Sequence, residues 1–338
     1  MRLFADAVRA SGHAPPRVVA WRDVAAGVTP TFTADEWVRV ESPGEDAEVD
    51  RLLRRQPRPA EHGEIGGLSA WYGGFSEALH RVAAAARAGG ARLLNDPDEI
   101  LVLGDKRACH ARLAAAGLPV PPSLPPVAGY RELRVAMVEA GWQRVFVKPV
   151  YGSSASGVIA LATAGGAPER IRATTSVELS HGRLFNSLRV RTYHDEASVA
   201  AIVDALAPDG LHVERWFPKA GLGDRVVDLR VVVIAGRPSH VVVRASRHPM
   251  TNLHLGGARG DLAEVKERAA GHYDSALETC AAVARCFPGS LHLGVDLMFA
   301  PGWRRHAVAE VNAFGDLLPG LLVDGRDTYA TQLAAVAA

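Results

Sequence analysis

The chain has 338 residues, 48% hydrophobic and 22% charged, with a formal net charge of +1. That balance excludes the basic footprint of a nucleic-acid binder, and no stretch approaches the roughly 18 to 20 apolar residues of a membrane span. Cys109, Cys280 and Cys286 show neither zinc spacing nor a disulfide framework, and the N-terminus carries no apolar run of signal-peptide length, so a cytoplasmic enzyme with two or three cores is expected.

In chain order, Leu3, Phe4, Ala7 and Val8 form a helical stripe, and residues 17–21 (RVVAW) read as a strand. A second strand is expected at 37–42, then a helix at 46–55 with Val49, Leu52 and Leu53 on one face. A longer helix over 69–88 turns Trp71, Tyr72, Phe75, Leu79 and Val82 inward, and 91–95 reads as a short buried strand closed by Asp96-Pro97. Asp105 suits the N-cap of a helix through Ala116. Strands are expected at 144–150 and at VIALA, on either side of the small-residue loop 151–157. Residues 166–210 are ambiguous, with a strand-like 184–193 and a helix near 197–206. Further strands are expected at 211–217, 226–236, 240–246, 291–300 and 305–313, a helix at 274–286, and a closing helix at 327–337.

Of the 38 basic residues only Lys106, Lys148, Lys219 and Lys266 are lysine, and Asn95, Asn186, Asn252 and Asn312 are the only asparagines. A lysine or asparagine inside a motif therefore carries unusual weight. Lys148 shares one strand face with Phe146, where a buried cation needs an anionic partner. The loop after it presents Gly152, Ser153, Ser154, Ser156 and Gly157, small residues whose backbone N–H groups can close over phosphates. A glycine–serine turn alone is an ordinary turn; the strand lysine beside it makes phosphate binding the sharper reading. Asp296, Glu310 and Asn312 lie on adjacent strand candidates, and such hard oxygen ligands suit Mg²⁺. Arg230 shares a face with Asp228, and Arg244 and Arg247 precede a loop holding Asn252. Arginines inside apolar strands point to bound carboxylate or phosphate.

In this order the motifs resemble the ATP-grasp superfamily across residues 105–322, and within it the branch of ribosomal-protein glutamate ligases and lysine-biosynthesis carrier-protein ligases. Asp105-Lys106 followed by GLPVP, VFVKPVYGSSASGV, VERWF, DLR with RASR and TNLHLGG, and GVDLM with AEVNAFGD carry the resemblance. It implies an α/β (α+β lobes) architecture: an N-terminal α/β pre-ATP-grasp domain (1–104), a central subdomain with a glycine-rich lid (105–213) and a C-terminal subdomain with the metal site (214–338). It also implies that Lys106 and Lys148 hold phosphates, that Glu214 takes the adenine amino group, and that the backbone near Arg215 and Phe217 reads the ring edge. Arg230, Arg244, Arg247 and Asn252 fall in the phosphate and acyl-substrate region, and Asp296, Glu310 and Asn312 become the Mg²⁺ ligands.

The implied activity is an ATP- and Mg²⁺-dependent carboxylate–amine ligase that passes through an acyl phosphate. Its substrates would be a small-molecule or peptide carboxylate and an amine, with no nucleic acid or membrane partner. The alternatives are an ATP-grasp kinase and a non-catalytic nucleotide-binding module, and a homodimer is left open. The chain departs from the branch in four places. Lys219 and Gly221 stand where a ribose-binding acid is expected, Ala313-Phe314-Gly315-Asp316 replaces a proline-glycine, the first strand of the N-terminal domain is missing, and 166–193 has no counterpart.

Overall fold

A computed structural model describes residues 2–152, 155–165, 170–314 and 318–337. The N-terminal third is mostly helical: α1 (Arg2–Ala10), α2 (Trp21–Ala25), β1 (Trp37–Val38), α3 (Ala47–Arg54), β2 (Glu64–Ile65), α4 (Leu68–Gly89), β3 (Arg92–Leu93) and α5 (Pro97–Gly104). Its own sheet is a two-residue parallel pairing of β1 with β3. The strand expected at 17–21 does not form. Val18 is exposed, and Trp21 opens α2, where its indole donates to Glu41 O at 2.9 Å and packs 5.4 Å from the Phe75 ring on α4. Burying one tryptophan on a long helix outweighs an apolar run with no strand beside it. Asp96-Pro97 opens a helix that periodicity did not reveal: Asp96 caps α5 through the Asp98 and Glu99 N–H groups, with proline at the tolerated first position.

Next come α6 (Lys106–Ala115), α7 (Tyr130–Glu139), β4 (Arg144–Pro149), β5 (Ile159–Ala164), β6 (Arg170–Ser180), β7 (Arg183–Tyr193), α8 (Glu196–Leu206) and β8 (Leu211–Arg215). These strands form one sheet in the order β2-β7-β6-β5-β4-β8, so a strand from the N-terminal third completes its edge. Val145, Val147, Ile159 and Leu161 turn toward α7 and α8, burying Leu133, Met137, Val199 and Ile202. The ambiguous segment is a long hairpin. Thr175 pairs with Arg191 but Val177 pairs with Asn186, so residues 187–190 bulge out opposite Ser176.

The chain ends with β9 (Gly221–Leu222), β10 (Arg225–Ile234), β11 (Arg237–Ser246), β12 (Ala258–Arg259), α9 (Leu262–Ala269), α10 (Gly271–Arg285), β13 (His292–Phe299), β14 (His306–Asn312) and α11 (Thr328–Ala337). The second sheet runs β12-β11-β10-β13-β14, with β9 against β10. Val227, Leu229, Val231 and Val233 alternate onto a core shared with α10 and α4. The even-numbered residues of β10 face the other way, where Asp228 and Arg230 lie. Between the sheets, Phe146, Val158 and Ala160 of the first pack against Met250 and Leu255, from the loop after β11 of the second. Among the described residues no helix is long and apolar enough to cross a membrane.

Candidate functional site

Antiparallel pairing of β4 with β8 sets Lys148 opposite His212 and Phe146 opposite Glu214, so these four side chains share the face between the sheets. The Lys148 ammonium is ion-paired with Glu214 Oε1, and Glu214 Oε2 lies 3.4 Å from His212 Nε2. Burial acts to raise the Glu214 pKa, but Lys148 and His212 outweigh it and hold the carboxyl down at about 2. Burial acts to depress Lys148, yet Glu214, Glu310 and Asp296 prevail and keep the ammonium above its ordinary value. Burial lowers the His212 pKa, so a neutral ring presents Nε2 to the carboxylate at pH 7. Lys148 Nζ also lies 3.5 Å from Ala309 O on β14, spanning the two sheets.

Lys106 is the first residue of α6, directly after its Asp105 cap. Its Nζ donates to Gly152 O at 2.6 Å and lies 3.3 Å from Glu310 Oε1. Both expected phosphate lysines thus arrive at neighbouring residues of β14. In the loop between β4 and β5, Gly157 sits at φ 75°, and a Cβ there would fall 2.5 Å from Pro149 Cγ, so only glycine fits. Gly152 and Ser156 flank the same turn; Ser153 and Ser154 lie outside the described residues.

On the second sheet the register pairs Asp228 with Arg244, Arg230 with Asp296, Asp296 with Glu310 and Gly294 with Asn312. Asp228 accepts from Arg244 Nε at 2.7 Å, sits 3.1 Å from Lys219 Nζ and accepts from the Thr251 hydroxyl. Arg244 Nη2 continues the chain to Asp296 Oδ2 at 3.1 Å. Arg230 Nε approaches Asp296 Oδ1 to 3.0 Å, but off line: both atoms are buried with no hydrogen-bond partner among the described residues. A close contact without alignment is a weak hydrogen bond. Asp296 therefore holds a buried oxygen with unmet bonding capacity.

Electrostatics separate these acids. Burial raises the Asp296 pKa despite Arg230 and Arg244. Burial also opposes ionisation of Asp228 and Glu310, but both are lowered: Asp228 by Arg244 and Lys219, Glu310 by Lys106, Lys148 and Arg230. A Cβ on Gly294 would lie 2.6 Å from Arg230 Nη1, so the missing side chain leaves room for the guanidinium over the strand.

The structure brings Asp296, Glu310 and Asn312 to one patch. The Asn312 amide nitrogen lies 3.5 Å from Gly294 O, leaving its carbonyl oxygen to face elsewhere. Among the described residues no three His, Cys, Asp or Glu side chains converge, so a third oxygen here falls to Asn312. A buried acid with an orphaned oxygen (Asp296) and a half-buried acid (Glu310), beside an amide, fit a hard divalent cation. Arg247 does not join the group: it is exposed and paired with Asp224 at 2.7 Å. Arg215 is exposed and its N–H is taken by Pro122 O at 2.8 Å, while Phe217 lies half-buried just beyond β8. Asn252 is half-buried beside Thr251, in the loop that reaches Asp228.

Four residues of the assembled site carry no sequence assignment: His212, Lys219, Asp228 and Thr251. The scarcity of lysine was a signal for Lys219, and the face shared with Arg230 was one for Asp228. Nothing local marked His212 or Thr251, whose placement depends on strand pairing and loop closure.

No family model and no curated protein sequence matches the chain. Solved structures do. The D-cycloserine synthetase DcsG is similar at TM-score 0.61 and 17% identity, over 100% of this chain and 94% of that one. The ATP-grasp ligase PsnB, solved with a phosphomimetic variant of minimal precursor, Mg and ADP, is similar at TM-score 0.52 and 19% identity, over 99% and 93%. The macrocyclase MdnC from Microcystis aeruginosa MRC, bound with precursor peptide MdnA, is similar at TM-score 0.54 and 12% identity, over 100% and 95%. With structural similarity over nearly the whole of each chain, this chain has the ATP-grasp fold.

Proposed function

We propose that the chain is an ATP- and Mg²⁺-dependent carboxylate–amine ligase that forms an amide or peptide bond through an acyl phosphate and releases ADP and phosphate. One observation carries this reading: from three separate elements Lys106 reaches Glu310, Arg230 reaches Asp296, and Lys148 reaches the Ala309 carbonyl next to Glu310. Such a gathering of cations over one buried and one half-buried carboxylate suits a metal–triphosphate better than it suits a fold alone, because a charge is costly to bury. The fold neighbours named as ligases and a macrocyclase support the same class, and two of them are solved with precursor material.

In this reading residues 1–104, 105–213 and 214–338 act as the N-terminal domain, the central subdomain and the C-terminal subdomain. Lys106 and Lys148 hold the phosphates, and the loop 151–157 shields the site from water. Glu214, kept ionised by Lys148 and His212, accepts from the adenine amino group, and the backbone near Arg215 and Phe217 borders the ring. Bound by Asp296, Glu310 and Asn312, Mg²⁺ would neutralise charge on the phosphate oxygens. Arg230 stabilises charge on the transferring phosphoryl group, and Arg244, with Asn252 in the adjoining loop, borders the carboxylate. An amine then attacks the activated acyl group and phosphate leaves. The acid is a small-molecule or peptide carboxylate.

Hydroxylamine tests this directly. Given the right acid, ATP and Mg²⁺, a hydroxamate and ADP should accumulate. Lys148→Ala and Arg230→Ala should each lose roughly 10²- to 10³-fold, the scale of one preorganised electrostatic contact, while Lys266→Ala should match wild type. A stable phosphorylated product without hydroxamate would make the protein a kinase; AMP and pyrophosphate would mean adenylation.

A further inference from the structure

At the outer end of the cleft, away from Lys148, lies a pocket of about 400 Å³. Its inner wall is the next row of the first sheet: Arg144 pairs with Ala162, and Ala162 with Arg172, so both arginines share the face of Phe146 and Lys148. Four residues of strand separate Arg144 from Lys148, about 13 Å at the usual rise. Lys219, Arg247 and His248 come from the opposite lobe, and Trp216 is among the residues that line the pocket between them.

The charge of this pocket is one-sided. Among the described residues no aspartate or glutamate lines it. Several exposed arginines elsewhere are matched with acids, as in Arg17–Glu36, Arg183–Glu64 and Arg191–Glu178, while others, such as Arg58 and Arg131, stand apart over the surface and not in a concave group. Among the described residues the Arg172 side chain has no ion pair or hydrogen bond. Arg144 has only its stack on Trp216, with the guanidinium 4.3 Å from the ring centroid. Arg247 and Lys219, by contrast, are each paired with an acid, Asp224 and Asp228, so the uncompensated charge sits on the first sheet. A concave set of under-compensated guanidinium groups presents forked donors that match carboxylate or phosphate oxygens. The volume suits a small-molecule group. Because the cations belong to both lobes, an anion seated here would join the two sheets as well as anchor itself.

We infer that this pocket is a second anion site, which takes the non-reacting carboxylate or phosphate group of the acid co-substrate. The occupant's role rests on the ligase reading; the anion site itself does not. The preferred acid is therefore a dianion or larger, such as a dicarboxylate, a phosphorylated acid or an acidic peptide. Its reacting carboxylate lies toward Arg230 and its second charge toward Arg144 and Arg172.

Calorimetry on protein saturated with AMPPNP and Mg²⁺, titrated separately with inorganic phosphate and with glutarate, tests the assignment. At least one anion should bind the nucleotide-loaded protein, and Arg172→Ala and Arg144→Ala should each weaken it about tenfold or more. Arg183→Ala, an acid-paired arginine on the same hairpin, should leave it unchanged. Equal binding by the Arg172→Ala protein, no binding of either anion, or competition between the anion and AMPPNP would overturn the inference, the last by giving the pocket to the nucleotide. Failure of AMPPNP to bind would instead sink the ligase reading, and the same variants titrated without nucleotide would then decide the anion site.

Discussion

Arg51 and Arg244 each hold a carboxylate, yet their surroundings differ. Arg51 meets Glu48 one helical turn away, with side chains 28% and 40% exposed. Arg244 meets Asp228 across two strands, with side chains 10% and 3% exposed. The N-terminal third is studded with pairs of the first kind, while the face of the second sheet holds a continuous chain of the second: Thr251, Lys219, Asp228, Arg244, Asp296 and Arg230. Exposed pairs gain little, because water screens them and ordering long side chains costs entropy. Buried pairs must overcome desolvation, so each member depends on the others. The same residue types therefore decorate one region and define the other.

The largest effect should come from breaking the buried chain at its hub. Asp228→Ala leaves Lys219 buried without its acid and Arg244 with Asp296 alone, and should cost about 3–5 kcal/mol of unfolding free energy, read from urea denaturation. A loss no greater than that of an exposed pair would erase the distinction. Asp296→Asn keeps the volume and removes a carboxylate whose ionisation burial already disfavours. Its stability cost should be smaller, about 1–3 kcal/mol, and its main signature should be a raised Mg²⁺ requirement in nucleotide turnover. Unchanged metal dependence would remove Asp296 from the ligand set.

Acid sharpens the comparison further. Glu214 has a folded pKa of about 2, below its unfolded value of about 4.3. Its contribution is thus complete above that unfolded value and is lost as pH falls toward 2. Glu214→Gln should lower stability at neutral pH and flatten the stability–pH curve between about 4 and 2; an unchanged slope there would mean that Glu214 is not held by Lys148. The smallest effect belongs to Arg51→Ala, whose melting temperature should match wild type at physiological salt.

Much of this arrangement was legible because its signals are local. Strand periodicity placed Lys148 beside Phe146 and Glu310 beside Asn312, Asp105 announced the start of α6, and lysine scarcity drew attention to Lys106 and Lys148. Other parts were not legible because their signals depend on partners distant in sequence. The apolar run at 17–21 had the composition of a strand but no neighbour to pair with. β6 was hidden in an ambiguous segment whose register breaks at Thr175. Arg244 and Arg247 looked equivalent three residues apart, and only the pairing of β11 with β10 sends one to Asp228 and leaves the other exposed.

Alone, the sequence determined most of the elements and several of the charged residues on the cleft face, because alternation and capping act within a few residues, while the ATP-grasp fold was indicated by the resemblance of its motifs. Tertiary structure decided which charges meet. Lys106 and Lys148 converge on β14, Lys219 turns inward to Asp228, and Arg144 with Arg172 lines the outer pocket. The physical reason is range. Periodicity is set by the backbone's own geometry, whereas whether a buried charge is tolerated depends on which partner the opposing strand or lobe supplies.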